Sequence, residues 1–299
     1  MSVAATVPKH ILELPCWEGP VTAEPLKGGL SNESWKVTDA RGSHVVRFGK
    51  DFPVHHVDRA REAMSAKAAH AAGFAPEVQY TAKGVMVCAF IGAKTWVAAD
   101  VRANPERVGG LLRDFHETLP AHVTGAAALF WPFHVIRDYA RVLKEGQSPF
   151  LADVPRLMAL SQAFEAAQIP LPIIFGHHDL LPANFLDDGK RLWLIDFEYA
   201  GFGTAMFDIA GAAANAEMDE AQSEALLRAY FGRAPDEATW RAFDAMQGAA
   251  LVREAMWAMV SDIHLAAPGA DYKAYTAENL TRLSNFLDRY RGKYGMISE

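Results

Sequence analysis

Only two cysteines occur, Cys16 and Cys88, and neither has a partner at metal-ligand spacing. That argues against a disulfide framework and a cysteine zinc site, and fits a reducing compartment. Positive charge is also in short supply. Lys and Arg number 29 against 36 Asp and Glu, for a net charge of −7. This disfavours an extended nucleic-acid surface, although a few cations could still gather around a small anionic ligand. No apolar run approaches the roughly 20 residues of a membrane span. The opening MSVAATVPKHILELPCW lacks a basic segment followed by a long apolar one. The expectation is a cytoplasmic protein with no membrane span and no nucleic-acid partner, its oligomeric state left open. What remains is an ordinary globular balance, 51% hydrophobic and 22% charged over 299 residues, enough for one large domain or two lobes.

The texture changes along the chain. The first ninety residues alternate turn signals with short β-type runs. VTAEPLKGG reads as a strand into a turn, and ESWKVTDARGSHVVRFG as a hairpin turning at Asp39 to Gly42. PEVQYTAKGVMVCAFI reads as two strands around Lys83-Gly84. The Ala-rich segment HHVDRAREAMSAKAAHAAG reads as a helix with Gly73 just past its end. After residue 92 helices dominate. Asn104 is placed as an N-cap with Pro105 at the first helical position. Further helices are expected at about 132–145, 151–168, 204–216, 219–231, 236–264 and 270–291. The expected class is α+β, with an antiparallel-sheet part over 1–91 and a mostly helical part over 92–299.

One β-like island interrupts the helices, GHHDLLPANFLDDGKRLWLIDFEYAG, Gly176 to Gly201. Ile173–Phe175, Asn184–Leu186 and Leu192–Ile195 are short strand-type runs, with Asp187-Asp188-Gly189-Lys190 as a hairpin turn. A hairpin brings the Asn184 end and the Asp196 end together, with Asp179 in the preceding loop. Hard oxygen ligands of this kind suit Mg²⁺ bridging to phosphates. A remaining carboxylate can accept a hydroxyl proton. Taken singly, each residue fits a hairpin with caps and a buried histidine. The ordered set favours a metal and a phosphate. A zinc site at His177, His178 and Asp179 has no further ligand at the right spacing.

The spacing His177-x-Asp179, four residues, then Asn184, followed by Ile195-Asp196, resembles the catalytic loop and metal site of the protein-kinase-like superfamily. Asp196-Phe197-Glu198 stands where protein kinases have Asp-Phe-Gly. HHDLLPANF with LIDFEYAGFGTAMFDIA is similar to the aminoglycoside phosphotransferase and choline/ethanolamine kinase families, the IDFEYA and FDIA segments to choline kinases especially. The resemblance implies a bilobal protein-kinase-like fold, with ATP and Mg²⁺ as cofactors. In it Asp179 positions the acceptor hydroxyl, Asn184 and Asp196 hold Mg²⁺, and His177 orients the loop. His178 falls at a variable position and receives no role.

The other parts of such a site are sought on the same grounds. Gly28 and Gly29 sit at the tip of LKGGLSNESWKV, where glycine lets backbone N–H groups approach phosphates, and Ser31 and Asn32 add donors. The segment is similar to a choline-kinase loop. Arg47 lies on the strand face opposite Val46 and Phe48. Its guanidinium can bind phosphate through two bonds, with Glu62 as ion-pair partner. The stretch MVCAFIG resembles an interlobe hinge, so the backbone around Cys88 and Phe90 is the expected adenine contact. LVREAMWAMVSDIH resembles the aromatic acceptor helix of choline kinases, with Trp257 present and Glu254 where a second Trp is common. Trp257, Glu254, Tyr272, Tyr275 and Glu198 are the expected acceptor residues, suited to a cationic small-molecule alcohol. Aminoglycoside, thiamine and sugar kinases, or a catalytically silent nucleotide-binding protein, are the alternatives.

Overall fold

The chain is described here by a computed structural model that covers residues 7–26, 32–265 and 270–295. After a short helix α1 (Lys9–Leu12), five antiparallel strands form one sheet in the order β1-β2-β3-β5-β4. They are β1 (Thr22–Pro25), β2 (Glu33–Asp39), β3 (Gly42–Phe48), β4 (Val78–Ala82) and β5 (Val85–Ala89). The β2–β3 turn is where the sequence places it. Asp39 pairs with Gly42, and the Asp39 carboxylate accepts the Arg41 N–H at 2.8 Å. Strand alternation then sorts β3. Val46 is buried with Ile11, Val37 and Val87, with Phe48 packed against them, while Arg47 emerges on the other face.

Helix α2 (Arg59–Ala71) packs beside this sheet and starts four residues later than HHVDRAREAM suggests. Its cap is Asp58, whose side chain accepts the Arg61 N–H at 2.8 Å. Pro53–His55 forms a 3₁₀ turn before it, and His56 adopts a left-handed φ of 60°, so the His-His pair is loop rather than helix.

The remainder is mostly helical: α3 (Ala98–Ala103), α4 (Pro105–Thr118), α5 (Pro132–Glu145), α6 (Val154–Ala166), α7 (Ala205–Ala216), α8 (Glu220–Phe231), α9 (Glu237–His264) and α10 (Tyr272–Tyr294). Apart from α3, which the sequence reading did not place, these match the expected helices to within a few residues. Asn104 and Pro105 open α4, but the Asn104 amide donates to the Asp100 carbonyl at 2.8 Å instead of capping. Helix α9 is the spine, packed by α5, α6, α7 and α10. Its Ala and Met positions are buried on nearly every side, which is why its sequence looks apolar all round.

Five short strands set the island in place: β6 (Lys94–Thr95), β7 (Ile173–Gly176), β8 (Phe185–Asp187), β9 (Leu192–Leu194) and β10 (Gly201–Thr204). β8 and β9 pair antiparallel, with Phe185 opposite Leu194. The turn is closed by Gly189 at φ 85° and by Asp187 and Asp188 accepting backbone N–H groups. Asn184 itself belongs to a 3₁₀ turn, Pro182–Asn184, and not to the strand, because proline opens the turn. β6 and β10 have no signal in the sequence. Each is defined by a partner far along the chain, β8 for one and β7 for the other.

Candidate active site

The loop between β7 and β8 is held by one buried carboxylate. Asp208 on α7 accepts the backbone N–H of His177 at 2.8 Å and of His178 at 2.7 Å. His116 on α4 lies 2.9 Å from the same carboxylate and 2.8 Å from the Tyr230 hydroxyl. Burial works against the charge, but His178 and His116 hold the Asp208 carboxyl well below the usual range. The approach is close. A Cβ on Gly176 would come 2.4 Å from His178 Nε2 and 2.9 Å from Asp208 Oδ2, so only glycine fits there. Asp208→Ala should therefore lower stability by about 3 kcal/mol or more, since two buried N–H groups and a histidine lose their acceptor. A reduced urea midpoint at unchanged slope is the readout, and a parental midpoint would contradict it.

Once anchored, the loop orients its own residues. His177 Nε2–H donates to the Ile195 carbonyl at 2.9 Å, and its Nδ1 accepts the Asp179 N–H at 3.3 Å. The imidazole thus ties the loop to the strand leading into Asp196. Asn184 donates through its side-chain NH₂ to the Asp179 carbonyl at 2.7 Å, and its own carbonyl accepts the Ile195 N–H at 3.1 Å. These bonds gather the Asp179, Asn184 and Asp196 segments. Asp196 has a left-handed φ of 70°, a costly backbone for a residue with a Cβ and one that recurs at functional sites. His178, at φ 62°, is packed flat on Phe130 with ring centroids 4.5 Å apart; burial lowers its pKa to about 4.

Across from this hairpin stands a buried charge network. Arg47 Nη1 is 2.8 Å from Glu62, and its Nη2 is 2.9 Å from Asp196. Arg59 joins Glu62 at 2.6 Å and Glu198 at 3.0 Å. Arg61 donates to the Glu198 carbonyl at 3.0 Å. Glu198 is thus turned to Arg59, where the sequence alone placed it among the acceptor residues. A cavity of about 1250 Å³ opens beside the network, bounded by Asn32, Arg47, Gly49 and Arg59 among others. Gly28, Gly29 and Ser31 lie outside the described residues. Cys88 is within β5, and the N–H groups of Ala89 and Phe90 are engaged by the Glu77 and Ser43 carbonyls at 2.9 and 3.0 Å.

Asp179 lies among acids. Burial, and then Asp196, Glu254 and Glu198, push its carboxyl well above the usual range, against the opposing pull of Arg253. Glu198 is pushed up in the same way by burial and Asp196, opposed by Arg59 and Arg47. This surplus of carboxylates, together with the amide oxygen of Asn184, is the donor set that a hard divalent cation suits. Among the described residues no three His, Cys, Asp or Glu side chains are grouped so as to hold a metal ion by themselves.

The aromatic wall is also assembled. Trp257 Nε1 donates to the Tyr199 hydroxyl at 3.0 Å, and its ring meets Tyr272 and Tyr275 edge-on at 6.1 and 6.2 Å. His55 packs against the Trp257 ring at 5.2 Å. Glu254 accepts from the Tyr275 hydroxyl at 2.7 Å and from Arg253 at 3.1 Å. Asp208, Arg253, Arg59 and Tyr199 are the members of the site that the sequence reading did not assign. Asp208 had a trace, the FDIA segment, and Arg253 another, a cation inside the apolar second half of α9.

The model of the phosphotransferase enzyme family matches residues 22–245. The chain belongs to that family. Ethanolamine kinase 2 of Mus musculus is 26% identical over 200 residues, which are 63% of this chain and 52% of that protein. The chain spans about half the length of the curated relatives of this kind that it matches. A choline/ethanolamine kinase family protein from Mesorhizobium loti is 27% identical, with a TM-score of 0.75 over 95% of this chain and 96% of that one. LicA in complex with AMP shares the fold at 17% identity, with a TM-score of 0.67 over 89% of this chain and 92% of that one. The α+β class and the resemblance to choline/ethanolamine kinases both stand. Among the described residues no helix is long and apolar enough to cross a membrane.

Proposed function

We propose that the chain is a kinase that uses ATP and Mg²⁺ to phosphorylate the hydroxyl of choline or a similar amino alcohol. The observation that carries this reading is the gathering of the Asp179, Asn184 and Asp196 segments at the open end of one hairpin, with Arg47 bridging Asp196 and Glu62. Residues 1–91 and 92–299 form the two lobes, with the nucleotide between them. Asp179 orients the acceptor hydroxyl and takes its proton as the γ-phosphoryl group moves. Asn184 and Asp196 would hold Mg²⁺, which would supply positive charge against the phosphates. Arg47, steadied by Glu62, turns from Asp196 to the phosphates, and Asn32 with Gly28, Gly29 and Ser31 covers them. The adenine contact falls to the backbone just past Phe90, since Cys88 is paired on both sides within the sheet and the N–H groups of Ala89 and Phe90 are engaged. Glu198 fixes Arg59 and so braces α2 against the metal strand. The AMP held by LicA in the same fold supports a nucleotide in the cleft.

Trp257, Tyr272, Tyr275 and Glu254 form the acceptor wall. An aromatic face beside carboxylates suits an ammonium group, a contact of about 0.5–2 kcal/mol for one ring. Trp257→Ala is accordingly expected to raise the Michaelis constant for choline roughly 2- to 30-fold, with a smaller effect on that for ATP. The test compares choline, ethanolamine and a neutral isosteric alcohol in both proteins. Equal use of the neutral alcohol, or an unchanged ranking in Trp257→Ala, would remove the cation pocket and leave the kinase.

A further inference from the structure

Arg253 has no role in the reading above, yet it is a buried charge beside the acceptor wall. It sits within the apolar run of α9 with a side chain only 5% exposed. Its Nη1 is 3.1 Å from Glu254 Oε2 and 4.0 Å from Asp179 Oδ1. The guanidinium lies over the Tyr199 ring, 4.5 Å from its centroid. Its Nε and Nη2 are buried with no hydrogen-bond partner among the described residues. Burying a guanidinium with donors unmet destabilises a fold, and an apolar side chain of similar volume is often better there. Packing alone does not account for it.

We propose that Arg253 sets the charge selectivity of the acceptor end, so that an alcohol with one cationic centre is taken and alcohols with two or more are rejected. This rests on the amino-alcohol reading and narrows it. The carboxylates facing the acceptor are Asp179 and Glu254, which carry a formal charge of −2 once a cationic acceptor draws both to the ionised form. The fixed guanidinium between them leaves −1, which a single ammonium balances. The guanidinium groups of Arg47 and Arg59 are engaged elsewhere, Arg47 with Asp196 and Glu62, and Arg59 with Glu62 and Glu198. Tyr275 is hydrogen-bonded to the remaining oxygen of Glu254. A second cationic centre would meet the guanidinium at close range without a carboxylate of its own.

The test compares choline with a choline analogue carrying a second trimethylammonium group, both charged at every working pH. Specificity constants are measured for the parent, Arg253→Lys, Arg253→Met and the double variant Arg253→Gln/Glu254→Gln. The parent should prefer choline by about tenfold or more, the scale of one unit charge several ångströms away at an effective dielectric near 20. Arg253→Lys should keep that preference. Arg253→Met should lose it, mainly through the Michaelis constants. The double variant restores the charge of −1 and should regain it, which decides the matter if Arg253→Met does not fold. An unchanged ratio in Arg253→Met, an equal loss for both substrates, or a double variant without the preference would each overturn the inference while choline remains a substrate. If the parent uses a neutral alcohol as well as choline, the amino-alcohol reading falls, and this inference with it.

Discussion

Asp179→Asn is expected to fold, to bind nucleotide and to transfer the phosphoryl group roughly 10²-fold or more slowly than the parent, the scale of a lost acid–base contribution. The substitution keeps the shape of the side chain and removes the proton acceptor. The loop should survive it, because Asp208 and His177 hold the backbone without using the Asp179 carboxylate. Stability should be unchanged or higher, since the carboxyl is buried among Asp196, Glu254 and Glu198 and its charge is disfavoured there. A slow enzyme with a parental or raised unfolding midpoint is thus the expected pair of results. Near-parental turnover would show that another group takes the proton.

Asp196→Ala should have an effect of similar or larger size, and for a different reason. It removes a carboxylate proposed to hold the metal, and it frees Arg47, whose Nη2 sits 2.9 Å from it. Productive Mg²⁺–ATP binding should fall by roughly 10²-fold, as expected when charge stabilisation at a transferring phosphoryl group is lost. Glu198→Gln should cost far less, because it weakens one ion pair to Arg59 while the Glu198 carbonyl still accepts from Arg61. Activity titrated against Mg²⁺ at fixed ATP separates the two. If Asp196→Ala follows the parental curve, Asp196 is not a metal ligand.

Much of this was legible from local sequence, and the reason lies in which forces act locally. The β2–β3 and β8–β9 hairpins announce themselves because Asp39 and Gly42, and Asp187 to Gly189, supply turn geometry within a few residues. Helix α5 follows from periodicity, and α7 to α10 from the caps Thr204, Asp219, Asp236 and Asp271. Arg47 opposite Val46 is strand alternation alone. The strands β6 and β10 were not legible, because each exists only through pairing with a segment roughly 25 or more residues away. The start of α2 was misplaced because Pro53 and the left-handed His56 override the helical texture of the segment. In the site, Asp179, Asn184 and Asp196 were visible as an ordered motif. Asp208 and Arg253 were not, because their importance lies in what they touch: one meets two backbone N–H groups across 30 residues, the other a carboxylate 74 residues earlier. Glu198 was placed in the acceptor wall on the strength of its motif, and a distant arginine, Arg59, draws it to α2 instead.

The measurement that bears most directly on the whole account is ADP release by the purified chain with ATP and Mg²⁺ held fixed, across a panel of alcohols that includes choline, ethanolamine, an aminoglycoside, a sugar and a neutral isostere of choline. The account predicts acceptor-dependent ADP release with choline or ethanolamine, abolished by chelating the metal and reduced roughly 10²-fold or more in Asp179→Asn. Nucleotide binding with no alcohol able to stimulate ADP release would contradict it and leave a binding protein of this fold.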